Sequence, residues 1–203
     1  MSIEVLRREI EQSEAVDPVG VHHEFTQGMH GRKIDLEKFM EDPSCMRLVV
    51  VETHIFIEEN YNPLPKVLVS VANGTNQLVQ EVARSLGCHV DFVLTEKTEN
   101  GVALTLEGAE QIREEQPDFA LVIEDTATTG GTSGAVAAEL DAQGVRRVEV
   151  LNVVQRISKL VHLIGAGVVY KSMIDGSDWI ETYEPEDCQH CRDEWELIRY
   201  GQV

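Results

Sequence analysis

The chain of 203 residues is 42% hydrophobic, enough to bury one substantial core with a small appendage attached. Its 36 acidic residues against 17 basic ones leave a formal net charge of -19, which argues against a nucleic-acid partner, because phosphate backbones are bound by clustered Lys and Arg. No apolar run reaches the roughly 20 residues of a membrane span, and Met1 to Gln12 is charged rather than leader-like, so a cytoplasmic protein without membrane contact is expected.

In chain order, Ile3, Leu6 and Ile10 recur at helical spacing and predict an amphipathic N-terminal helix. Val21 to Asp42 follows as a polar segment rich in Gly and His, so residues 1–42 read as a helix and a small hood. Met46 to Ile57 carries β-branched residues, but Met46, Val49, Val50, Thr53, Phe56 and Ile57 share one helical face, which favours a helix. The apolar runs Val67 to Val71, Val90 to Leu94, Ala120 to Ile123, Val148 to Val154 and Val168 to Ile174 read as buried strands. Helical stretches separate most of them: Asn76 to Leu86, Thr132 to Gln143 and Ile157 to Ile164. This alternation predicts an α/β core over 43–176, a Rossmann-like and mainly parallel sheet flanked by helices. Thr95 to Pro117 interrupts it. A helix is expected from about Leu106 to Glu115, and the charged first half is expected to be a mobile loop that closes over a site. Residues 177–203 remain as a C-terminal tail.

Ligands of an open parallel sheet sit outside the carboxyl ends of its strands, where the run ALVIEDTATTGGTSGAVAAEL places Glu124 and Asp125. The following Thr128, Thr129, Gly130, Gly131, Thr132 and Ser133 lead into a helix, whose positive end and small residues suit a phosphate. Two carboxylates beside that cradle can accept hydrogen bonds from a vicinal diol, or hold a divalent cation through water. Phosphate plus diol implies a sugar phosphate.

Leu121 to Ser133 resembles the thirteen-residue phosphoribosyl pyrophosphate motif of type I phosphoribosyltransferases. The resemblance implies that Glu124 and Asp125 hold the ribose hydroxyls, while Thr126, Ala127 and Thr128 to Ser133 surround the 5-phosphate. Val69-Ser70-Val71-Ala72-Asn73-Gly74 is similar to that family's pyrophosphate loop, with the backbone amides of Ala72 to Thr75 facing the leaving group. FTQGMHGRKIDL, Phe25 to Leu36, is similar to the hood entry of orotate phosphoribosyltransferases, and offers Arg32 or Lys33 to an anionic base or to pyrophosphate. Where those enzymes carry Arg-Lys and then Lys and His, this chain reads Thr95-Glu96-Lys97-Thr98-Glu99-Asn100-Gly101, so Lys97 alone is the expected catalytic cation. Thr128 stands where 6-oxopurine enzymes place an Asp, while Thr129 to Thr132 is similar to adenine phosphoribosyltransferases, so a 6-oxopurine is disfavoured and the base, orotate-like or purine, stays open between orotate, adenine and a further base. The family implies Mg2+ as cofactor, phosphoribosyl pyrophosphate and a base as partners, and a homodimer is expected. A sensor that binds phosphoribosyl pyrophosphate without turning it over is the alternative.

The cysteines Cys45, Cys88, Cys188 and Cys191 fit reduced thiols or metal ligands. Cys188-Gln189-His190-Cys191 has zinc-like spacing, but a structural zinc needs four ligands and the tail supplies at most three, so reduced thiols are favoured. His22, His23, His30 or Cys45 would complete the set only if the tail folds back.

Overall fold

The computed structural model describes residues 3–25, 28–99, 101–156, 168–180 and 182–199. Helix α1 (Ile3–Glu11) leads to strands β1 (Val21–Glu24) and β2 (His30–Gly31), then α2 (Leu36–Met40) and α3 (Pro43–Asn60). The central region runs β3 (Val67–Ser70), α4 (Ala72–Leu86), β4 (Asp91–Val93), β5 (Thr95–Thr98), β6 (Gly101–Leu104), α5 (Leu106–Glu115), β7 (Phe119–Ala127), α6 (Gly131–Ala142), β8 (Arg147–Gln155) and β9 (Val169–Asp175). Strand β10 (Thr182–Tyr183), a 3-10 turn, α7 (Gln189–Arg192) and β11 (Glu196–Ile198) complete it.

Five strands form a parallel sheet in the order β4-β3-β7-β8-β9. Alternate residues feed two cores, Leu68, Leu121, Ile123 and Leu151 on one face and Val69, Ala120, Val122 and Val150 on the other. Both faces being buried explains why these strands read as unbroken apolar runs. From β3 the chain steps outward to β4, then returns to β7 on the other side. The strand order therefore reverses between β3 and β7, and a crevice opens at their carboxyl ends.

The ambiguous segment is helical because Asp42 caps it: its carboxylate accepts from the Ser44 and Cys45 amides at 2.7 and 3.3 Å, and Pro43 sits at the first helical position. Three expectations change. Helix α4 starts at Ala72 instead of Asn76, so the small residues read as a turn form its first turn. The stretch read as a mobile loop is a β5–β6 hairpin, with Thr95 opposite Leu104 and Thr98 opposite Gly101. Its root is fastened to β3, the Thr95 amide donating to Ser70 Oγ at 2.9 Å and Thr95 Oγ1 to the Ser70 carbonyl at 3.2 Å. Finally, β7 continues through the acid pair to Ala127. The helix expected at 157–164 lies outside the described residues.

Hood and tail share a second sheet, ordered β10-β2-β1-β11, in which β1 runs parallel to β11 and antiparallel to β2. Among the described residues no helix is long and apolar enough to cross a membrane.

Candidate active site

Neighbouring residues on a strand face opposite ways, so Glu124 and Asp125 at the end of β7 have different surroundings. Glu124 is 8% exposed and accepts a hydrogen bond from Ser133 Oγ at 2.7 Å. Burial, reinforced by the charge of Asp125 and opposed by the Ser133 bond, pushes its carboxyl up to about 7. Asp125 looks toward α4, its Oδ2 lying 3.6 Å from where a side chain at Gly74 would begin; Glu37 Oε2 reaches the same point at 3.5 Å. Gly74 is therefore the place where a backbone leaves room for two converging carboxylates. Burial first, then repulsion from Asp35 and Glu37, raises Asp125 to about 6.

Three adjoining lobes meet at this acid pair. The first, about 470 Å³, is lined by Phe25, Met29, Glu124, Thr126 and Thr128 to Thr132. Its floor is the start of α6, where Gly130 adopts a left-handed φ of 72° and no side chain caps the helix. The first intrahelical bond found there runs from the Gly134 amide to the Gly130 carbonyl at 2.8 Å, leaving the amides before it directed at the lobe. This lobe fits a phosphate. The Ser133 hydroxyl is buried against Glu124 and the Gly130 carbonyl, where it positions an acid, so the backbone amide is the part of Ser133 left for the expected phosphate contact. Ala127 is also buried, its carbonyl accepting from the Arg156 amide at 2.9 Å.

A second lobe of about 450 Å³ is shared by Glu37, Val71, Gly74, Lys97, Thr98, Gly101, Val102, Glu124, Asp125 and Thr132. Here the hairpin brings Lys97 across from the first turn of α4, the position expected for a leaving anion. Ala72 and Asn73 open that turn, and Gly74 lines the lobe. Thr75 does not reach it: the fully buried hydroxyl accepts from the Val71 amide at 2.7 Å and locks the turn.

The third and largest lobe, about 850 Å³, includes Phe25, Lys33, Lys97, Asp125, Thr128 and Arg156, together with Arg199 from the tail. Lys33 is present as expected, 3.2 Å from Asp35. Arg32 is not: its guanidinium turns away and donates to the Asp17 carbonyl, with Nε at 3.1 Å. The residue that supplies a buried cation is Arg156, one position past β8. It is 3% exposed, stacks 4.0 Å over the Phe25 ring and donates to the Arg32 carbonyl, while its Nε has no hydrogen-bond partner among the described residues. Burial pulls its pKa down to about 9 against the opposing charge of Asp17.

A doubly wound parallel sheet, an acid pair at its switch point and a helix start without a side-chain cap beneath a hood are the features of the type I phosphoribosyltransferase class. Residues 49–189 match the phosphoribosyl transferase domain family, and the chain belongs to it. It is similar to the orotate phosphoribosyltransferase of Caldicellulosiruptor bescii, 25% identical over 181 residues, covering 89% of this chain and 88% of that one. Against the orotate phosphoribosyltransferase of a Thermoanaerobacter species it is 32% identical over 135 residues, covering 66% and 65%. Its fold is similar to the crystal structure of orotate phosphoribosyltransferase from Aeropyrum pernix, with a TM-score of 0.65, 20% identity and coverage of 88% and 95%. Adenine phosphoribosyltransferase from Trypanosoma brucei, solved with AMP, pyrophosphate and ribose-5-phosphate, gives a TM-score of 0.58, 18% identity and coverage of 91% and 83%.

Proposed function

We propose that this chain transfers the 5-phosphoribosyl group from phosphoribosyl pyrophosphate to an anionic, orotate-like base and releases pyrophosphate. Arg156 carries the choice of base. A buried guanidinium whose Nε has no partner among the described residues is costly unless an anion meets it, and a base bearing a carboxylate offsets that cost where a neutral purine does not. Stacked on Phe25 at the wall of the largest lobe, it is also held in one orientation.

In this reading the first lobe takes the 5-phosphate on the α6 amides, Glu124 and Asp125 take the ribose hydroxyls, and the Lys97 lobe takes pyrophosphate. The C1–O bond breaks with its electron pair leaving on pyrophosphate, and a base nitrogen forms the new bond to C1 as its N–H proton passes to the departing pyrophosphate or to solvent. Lys97 and the amides at the start of α4 face the oxygen that gains charge, so they stabilise the transition state more than the ground state. The family's Mg2+ fits this donor set: Asp125 and Glu37 converge above Gly74, and part of the upward shift of Asp125 is their mutual repulsion, which a cation relieves. Bound there directly or through water, Mg2+ supplies charge neutralisation for the pyrophosphate oxygens.

A panel of orotate, uracil, adenine and hypoxanthine, each given with Mg2+ and phosphoribosyl pyrophosphate and followed by pyrophosphate release, tests the proposal. Release with orotate alone is expected. Release with adenine and not orotate contradicts the base assignment, and calorimetric binding of phosphoribosyl pyrophosphate without release against any base supports the sensor. The hairpin favours that second reading in one respect: Lys97 is flanked there by Glu96 and Glu99, with no second cation on either strand.

A further inference from the structure

The tail does fold back. Strand β11 pairs with β1 and β10 with β2, which carries Cys188 and Cys191 onto the hood beside His22 and His30. One ligand atom from each of these four residues lies within 4.8 Å of the others. His22 Nε2 is 3.3 Å and His30 Nδ1 3.2 Å from the same sulfur, Cys191 Sγ. A tetrahedral zinc with bonds of about 2.0–2.3 Å has ligand-to-ligand edges of roughly 3.3–3.8 Å, so the nitrogen–sulfur separations are close to those of a ready-made tetrahedron. A single thiol has one weak proton to share between two converging imidazoles, and hydrogen bonding alone accounts poorly for that arrangement. His23 and Cys45, the other candidates, stay outside it; His23 Nε2 meets Asp17 Oδ2 at 3.1 Å.

The surroundings point the same way. This sheet is built from strands of two to four residues, too short to be stable without help. Among the described residues its strands bury no apolar side chain, only His22, His30 and Gly31, and the tail sets buried Cys188 and His190 beside them, with His190 stacked 4.1 Å on Trp195. Small units lacking a hydrophobic core are commonly held by metal. Cys188 caps α7 and its sulfur accepts the Cys191 amide at 3.4 Å, so the two-residue spacing already turns both sulfurs to one side.

We propose that His22, His30, Cys188 and Cys191 bind one structural zinc ion that ties the C-terminal tail to the hood. All four positions of the tetrahedron are filled by protein, so the ion holds structure and carries no reaction. Strand β1 continues from His22 into His23 and Glu24, and Phe25 follows it, so these three residues form a wall of the base lobe that the clip fixes.

The test is metal analysis of full-length protein purified without chelator, with cobalt substitution as an independent readout. About one zinc per chain is expected, with Cys188→Ser/Cys191→Ser protein retaining less than about a tenth of that. After exchange into Co2+, wild-type protein should show the intense visible bands and sulfur-to-cobalt charge transfer of a tetrahedral site with two thiolates. Phenanthroline, which spares Mg2+, should lower the thermal midpoint of wild type and leave a His30→Asn variant unmoved. Zinc-free protein that neither takes up Co2+ in tetrahedral form nor responds to phenanthroline overturns the proposal. Should the cysteine variant fail to fold, the wild-type cobalt spectrum still decides: octahedral bands or none refute it.

Discussion

Glu124→Gln should stabilise the protein and disable it together. The buried Glu124 carboxyl has its pKa raised from 4.5 to about 7, so ionising it in the fold costs roughly 3 kcal/mol relative to the unfolded chain. The sign follows from proton uptake. Between the unfolded and folded values the native state holds more protons, so wild-type stability falls as pH rises through that window and levels off above about pH 8. Glutamine has the same shape, and its carbonyl can still accept from Ser133 Oγ, while the charge-assisted part of that bond is already contained in the raised pKa. The variant should therefore gain roughly 3 kcal/mol over wild type at about pH 9 and lose most of that advantage near pH 5. Urea unfolding of both proteins at the two pH values measures this directly. At high pH the gain amounts to several degrees in thermal midpoint for a chain of this size. Phosphoribosyl pyrophosphate affinity should fall in the same samples, because a charged acceptor for a ribose hydroxyl is gone. A stability difference that is the same at both pH values, or a variant less stable at pH 9, would refute the idea that Glu124 is an ionisable group held under strain for ligand.

Asp125→Asn combined with Glu124→Gln should abolish Mg2+-dependent binding of phosphoribosyl pyrophosphate in calorimetry while circular dichroism stays native; each lost charged bond is worth on the order of 1.5–3 kcal/mol. In wild type, affinity for phosphoribosyl pyrophosphate at saturating Mg2+ should climb between about pH 5.5 and 8, as the carboxyls at about 6 and about 7 lose their protons. A flat profile would separate the acid pair from binding. Lys97→Ala should cut turnover more than ribose 5-phosphate affinity, since its partner gains charge only as the C1–O bond breaks; wild-type pyrophosphate release in the variant would remove Lys97 from the chemistry.

What could be read in the sequence was local. The acid pair, the Gly-rich turn and α6 are consecutive, so one strand-loop-helix unit announces the phosphate lobe. The face shared by Val49, Thr53 and Ile57 identifies α3 in the same way. What escaped depends on partners distant in the chain. Arg156 looks like an ordinary strand-end cation until Phe25 closes over it. Glu37 joins Asp125 only because Gly74 lets both approach. The β5–β6 hairpin lacks an apolar pattern because three of the four β5 residues face solvent, and its register rests on the pairing of Thr95 with Leu104. Arg32 and Lys33 are adjacent in sequence, yet only Lys33 faces the site, because the Asp17 carbonyl captures Arg32. The four side chains of the proposed zinc site come from opposite ends of the chain, and counting ligands within the tail alone could not reach four.

The most direct test of the central claim is the kcat/KM for orotate in wild type and in Arg156→Gln, at fixed Mg2+ and phosphoribosyl pyrophosphate. Losing a buried charge-assisted contact to the base carboxylate should lower kcat/KM by roughly tenfold to a hundredfold or more, the equivalent of about 1.5–3 kcal/mol. Phosphoribosyl pyrophosphate affinity should stay close to wild type, because Arg156 lines the base lobe and neither of the other two. An unchanged kcat/KM for orotate in a folded variant, or equal losses for orotate and adenine, would contradict an anionic base held by Arg156.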